Sequence, residues 1–132
     1  MSTPKNQKIA PVNYDYDVIV IGTGPGGEGS AMKLAKAGKR VAVVEKYRDI
    51  GGGCTHWGTI PSKALRHSVT QLIELKNNAL FTNNYPQKQE FTFADVLRHT
   101  AQVIGKQVKM RSSFYNRNNC TLHFGEASFI DN

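Results

Sequence analysis

Residues 18–46, VIVIGTGPGGEGSAMKLAKAGKRVAVVEK, narrow the possible folds of this chain more than any other stretch. Val18, Ile19, Val20 and Ile21 are all β-branched and read as a parallel strand buried on both faces. Glycines follow at Gly22, Gly24 and Gly27. Ala31, Leu34 and Ala35 then recur at helical spacing, with Gly38 placed to stop the helix. Residues 40–46 form a second apolar run that ends in charge. Strand, helix and strand within about 30 residues make a βαβ unit whose crossover is right-handed. The fold class expected is α/β, a Rossmann-like unit with a parallel sheet.

The glycines have separate mechanical tasks. Gly22 permits the tight turn, Gly24 lets backbone amides approach a pyrophosphate, and Gly27 lets the helix pack closely on the strand. Pro25 and Gly26 complete the turn, and the helix N-terminus offers free N–H groups and the positive end of its dipole to phosphates. Glu45 closes the second strand near the offset of roughly 20 residues at which an acid meets the ribose. A carboxylate there accepts from ribose hydroxyls and repels a 2′-phosphate. The pattern suits the ADP half of FAD or NAD and not NADP; spacing alone does not separate FAD from NAD.

Further along, residues 62–76 are expected to be helical, with Leu65, Val69, Leu72 and Ile73 on one face. Residues 77–90 contain Pro86, are rich in Asn and read as a loop. Thr92 opens another helix with Asp95 as a capping-box partner, and Leu97, Ala101, Ile104 and Val108 are its expected buried stripe, weakened modestly by Gly105. Residues 120–124 and 127–130 read as two short strands around a turn at Gly125 and Glu126. Residues 1–13 are polar and read as a flexible tail.

Composition excludes several function classes. No run of about 18 apolar residues exists to span a membrane, and 132 residues with 39% hydrophobic content suit one domain. Cys54 and Cys120 are the only cysteines, and neither they nor His56, His67, His99 and His123 have metal-ligand spacing; no metal is expected. A reducing cytoplasm suits such cysteine usage. The net charge of +7 raises nucleic acid as a partner, but no binding motif accompanies it. Arg98, Lys106, Lys109, Arg111 and Arg117 read instead as a solvated helix face, and no nucleic-acid partner is expected. A fragment can also be basic because its acidic complement lies elsewhere.

The sequence GGGCTHWGTIPSK, residues 51–63, follows this unit. Together with residues 17–46 it resembles the FAD-dependent pyridine nucleotide–disulfide oxidoreductases, over nearly the whole chain from Tyr14 onward. In that family a Gly-Gly turn leads into a helix with C-x4-C, then proline, serine and lysine. The departure is Thr59, which stands at the flavin-proximal cysteine position, while Cys54 stands at that of its exchanging partner. The two cannot form a disulfide, so no relay to a dithiol substrate is expected. One branch of the family has the same single cysteine: the soluble transhydrogenases, which move hydride between NADPH and NAD⁺ through FAD. Because both substrates carry hydride, reduced flavin can return it to a nicotinamide with no thiol between.

The resemblance implies that Glu45, Lys46, Tyr47, Arg48, Asp49, Ile50, Gly51, Gly52, Gly53 and Cys54 wrap the ADP and ribityl parts of FAD. It implies that Lys63 lies near flavin N5 and tunes the reduced ring, and that the Ala127 backbone meets adenine. Trp57 reads as packing, and His56 has no assigned role. Residues 14–132 are expected to be the N-terminal part of a FAD-binding domain, incomplete relative to the family. The nicotinamide domain and the homo-oligomer interface of the family have no counterpart in this sequence, so the 132-residue chain alone is expected to lack turnover. A flavin-dependent reductase of quinone or oxygen and a stand-alone FAD- or ADP-binding module are the alternative readings.

Overall fold

A computed structural model describes residues 13–80 and 91–130. The expected tail and most of the expected loop at 77–90 lie outside these residues. In order, the elements are β1 (Val18–Ile21), α1 (Pro25–Lys36), β2 (Val41–Glu45), α2 (Gly52–His56), α3 (Thr59–Asn77), α4 (Phe93–Arg117) and β3 (Thr121–Phe124). The sheet has the order β1-β2-β3 and is parallel throughout, with Val20 opposite Val43 and Leu122 opposite Val43 from the other side. The α/β fold and its βαβ start agree with the sequence.

β2 is the central strand, and Val41, Ala42 and Val43 are buried. The core joins Ala31 of α1, Val41 and Val43 of β2, Ile50, and Tyr115 and Cys120 from the C-terminal part, with Val20 and Leu122 packed against it. Gly38, at φ +78°, follows the α1 terminus in the left-handed conformation that ends helices. α3 begins three residues before its expected start, because Pro61 falls in the first helical turn, where a missing N–H costs nothing. The Thr92–Asp95 capping box is present with both reciprocal bonds.

Four expectations need correction. β1 is covered on one face only: Ile19 and Ile21 are 61% and 60% exposed. Their side chains alternate with those of Val18 and Val20. α1 packs on β1 and β2, α4 reaches β3, and the opposite sheet face has no layer among the described residues. The second terminal strand is absent: residues 127–130 join no ladder, and Phe129 and Ile130 stand exposed.

The stripes of α3 and α4 are shifted in part: Leu65, Leu72, Ile104 and Val108 are half-buried as expected, with Val108 against the core, but the other members of each stripe are not. Ser68 and Thr100 are buried, while Val69, Ile73, Leu97 and Ala101 are exposed. Each buried hydroxyl returns a hydrogen bond to its own helix, Ser68 to Ala64 O and Thr100 to Val96 O, both at 3.0 Å. Ser68 Oγ and His99 Nδ1 also meet at 2.8 Å across the helix pair. A small hydroxyl with its own carbonyl partner can therefore occupy a helix contact that a count of apolar residues assigns to a neighbour. The last correction is Arg111. It is not on the solvated face, because its Nε lies 3.0 Å from Glu28 Oε2, with both side chains largely buried.

Candidate functional site: the glycine turn and the end of β2

The glycine turn is bounded by backbone. Gly22 has φ +92° and donates its N–H to Val44 O at 2.7 Å, which locks the turn to β2. A Cβ on Gly27 would come within 2.0 Å of Gly22 O, so the helix approaches the strand as closely as expected. A Cβ on Gly24 would meet nothing within 4 Å. Gly24 is the N-cap of α1 and Pro25 its first residue, and no side chain caps the helix. The first-turn amides of α1 therefore keep their donor capacity beside an open cradle, the donor set a pyrophosphate needs.

At the end of β2, Glu45 is only 4% exposed. Its Oε2 accepts from the Thr23 N–H at 2.9 Å and from the Thr23 hydroxyl, and its Oε1 accepts from the Tyr47 N–H at 3.0 Å. Burial pushes the carboxyl upward. The Thr23 hydroxyl and the N–H groups of Tyr47, Thr23 and Lys46 outweigh that and leave it below the usual carboxylate range. Glu45 is therefore an anion at neutral pH, suited to accepting from a ribose hydroxyl.

The loop after β2 returns to this corner. Gly51 donates to Thr23 Oγ1 at 2.8 Å, and a Cβ on Gly52 would lie 2.7 Å from Gly24 Cα. Both glycines hold positive φ, +117° and +62°. Ile50 is buried, and its carbonyl accepts from His56 Nε2 at 2.9 Å, which gives His56 the role the sequence left open. Trp57, which the sequence reads as packing, is 65% exposed and meets Tyr47 edge-on with ring centroids 5.1 Å apart. On the far side, Gly125 donates to Glu45 O at 2.8 Å, which places the residues leading to Ala127 beside the same strand end. Lys46 reaches Glu126 at 2.8 Å on the surface.

The fold thus gathers Gly22, Gly24, Gly27, Glu45, Gly51 and Gly52 in one corner. Arg48, Asp49 and Gly53 are exposed around it, and Cys54 is half-buried in α2. Lys63 is exposed in the first two turns of α3. Cys54 and Cys120 are both free thiols, and burial raises the Cys120 thiol, consistent with an inert core position. No group of His, Cys, Asp or Glu able to hold a metal occurs among the described residues. No helix among them is long and apolar enough to cross a membrane. Thr23 is the site residue that sequence reading missed; its signal was a hydroxyl between the first two glycines of the turn.

Comparison with known proteins agrees with this geometry. The chain is 62% identical over 119 residues to a soluble pyridine nucleotide transhydrogenase of Colwellia psychrerythraea, covering 90% of this chain and 25% of that protein. It is 60% identical over 123 residues to the protein of that name from Vibrio parahaemolyticus, covering 93% of this chain and 26% of the relative. The chain therefore spans about a quarter of the length of these curated relatives. Among solved structures it is similar to the Cu(II) complex of the HOCl-induced flavoprotein disulfide reductase RclA from Escherichia coli. That match has a TM-score of 0.70 and 26% identity, over 90% of this chain and 23% of the other. A second structure of RclA from Escherichia coli gives 0.67 and 27%, over 85% and 22%. The family described as pyridine nucleotide-disulphide oxidoreductase matches residues 16–130, and the chain belongs to it.

Proposed function

We propose that this chain is the adenosine-binding part of a FAD-dependent oxidoreductase that passes hydride between NADPH and NAD⁺. FAD is the cofactor that the family and its flavoprotein neighbours indicate. The observation that carries the adenosine site is the buried Glu45 anion at the end of β2, beside the uncapped start of α1. Gly22, Gly24, Pro25, Gly26 and Gly27 receive the pyrophosphate, and Glu45 accepts from the ribose. Residues 46–53 and Cys54 follow the cofactor toward the ribityl chain, Ala127 meets adenine, and Lys63 lies toward the flavin. FAD, when bound, supplies the hydride-accepting ring.

Transhydrogenation, with nicotinamide nucleotides as substrates, is supported by the named relatives and by Thr59 at the position where a second thiol would stand. It belongs in this reading to a polypeptide of the relatives' length, oligomeric and cytoplasmic, and the 132-residue chain alone is expected to give no turnover. Residues 14–132 are then part of the FAD domain and residues 1–13 a tail.

Trp57 is the single tryptophan and lies beside Tyr47, so its emission reports on this corner. Titrating FAD into the purified chain is expected to quench Trp57 saturably and to leave a flavin spectrum after desalting. Unchanged emission together with a colourless protein overturns the cofactor-binding reading for this chain.

A further inference from the structure

Thr23 carries more hydrogen-bonding responsibility than its place in the glycine turn requires. It is 1% exposed, and a hydroxyl has one proton to give and two lone pairs to share. Here the proton goes to Glu45 Oε2, and a lone pair receives the Gly51 N–H at 2.8 Å. The Thr23 N–H goes to the same Glu45 oxygen at 2.9 Å. Thr23 thus fills both acceptor positions of Oε2. Oε1 is left out of the Thr23 bonds and accepts from the Tyr47 N–H at 3.0 Å, with the Lys46 N–H also favouring the charged carboxylate. Glycine or alanine in the same turn could make the backbone bond but not the other two.

We propose that Thr23 is a positioning residue for the ribose-binding carboxylate. Its hydroxyl pins one oxygen of Glu45 inward, leaves the other to a ribose hydroxyl, and ties the Gly51–Gly52 turn that enters α2 to the same acid. The proposal rests on the adenosine reading above. Without the hydroxyl, Glu45 keeps the Thr23 and Tyr47 N–H bonds but is held less firmly, and its preference for a ribose diol falls. Cofactor binding at the adenosine end is then linked through one side chain to the entry of the helix that bears Cys54.

The test compares binding of ADP and 2′,3′-dideoxy-ADP to the 132-residue chain by ¹H–¹⁵N NMR titration. The unaltered chain is expected to prefer ADP by about tenfold or more, the range of a hydrogen bond to a charged acceptor. Thr23→Ser keeps the hydroxyl and is expected to keep that ratio. Thr23→Val keeps the shape and is expected to bring the ratio to within about threefold; should it fail to fold, Thr23→Ala serves in its place. A purely structural role would weaken both nucleotides alike and leave the ratio unchanged. Thr23→Val with an unaltered ratio, or Thr23→Ser with a lost one, overturns the proposal alone. An unaltered chain that binds ADP without preferring it over the dideoxy form, or binds no ADP, overturns the adenosine reading and this proposal with it.

Discussion

The glycine corner and the α3–α4 helix pair are two kinds of packing in one chain. In the corner, backbone faces backbone: Gly27 against Gly22 O and Gly52 against Gly24 Cα. None of these partners can swing aside. In the helix pair the contacts are side chains, and several apolar ones, Val69, Ile73 and Leu97, are half-exposed. A tight backbone corner admits few residue types, so its sequence is narrow and readable. A helix pair can rotate by one residue and still close. Substitutions should therefore have opposite consequences in the two regions.

The largest effect is expected at Gly27. Alanine there puts a Cβ 2.0 Å from a carbonyl oxygen, and α1 must move off β1 to relieve it. We expect Gly27→Ala to cost roughly 4 kcal/mol or more and to lower the melting temperature by upwards of about 10 °C. A thermal melt within a few degrees of the parent would contradict the backbone contact.

Next in size is the ion pair that bridges the two regions. Arg111 of α4 meets Glu28 in the first turn of α1, with side-chain exposures of 13% and 20%. Arg111→Met leaves the Glu28 carboxylate without its partner in a largely dry position, at a cost of about 3 kcal/mol. Glu28→Gln combined with Arg111→Met should recover most of it. Urea midpoints of the single and double variants decide the matter; a single variant as stable as the parent makes this pair an ordinary surface contact.

The two sheet faces allow a third comparison. Val43 lies in the core and Ile19 on the face without a layer. Val43→Ala should cost about 2 kcal/mol, and Ile19→Thr, which keeps the β-branch, no more than about 0.5 kcal/mol. Equal losses in denaturant unfolding would mean that Ile19 is covered in solution.

What was legible in the sequence follows the same division. Gly22, Gly27 and Glu45 could be placed before any coordinates because a positive φ, a close approach and a ribose acid each demand one residue type. The shifted members of the two stripes were not legible, since Ser68 and Thr100 look polar until their hydroxyls are seen bonded to their own helix. Arg111 was misjudged because helical spacing cannot tell a solvated cation from one facing an acid on another helix. Thr23 went unread because pattern matching treats its position as arbitrary. The bare face of β1 was invisible because a run of β-branched residues states what a strand can bury, not what covers it.

Acid dependence sharpens the view of Glu45. Its folded carboxyl titrates below the unfolded value, so the stability it contributes is fully present above the unfolded pKa and is lost as pH falls through the folded one. Asp17, held low by Arg40, and Asp95, held low by Thr92, titrate in the same direction. The difference between parent and Glu45→Gln isolates the glutamate: the parent's stability should fall more steeply between neutral pH and pH about 3. Parallel curves in chemical denaturation would mean that Glu45 has no net stabilising bonds.

The smallest change is expected in the middle of α4, and it has the opposite sign. Gly105 sits in helical backbone, and an added Cβ would meet nothing within 4 Å. Alanine there removes unfolded-state freedom and asks no neighbour to move, so Gly105→Ala should stabilise the chain by about 0.5–1 kcal/mol. One methyl group thus disrupts the fold at Gly27 and firms it at Gly105, because the first meets a carbonyl and the second meets solvent. A rise in the urea midpoint, with the FAD titration of Trp57 unchanged, supports that contrast. A fall would place an unseen neighbour against Gly105 and make this part of α4 an interface like the corner it was set against.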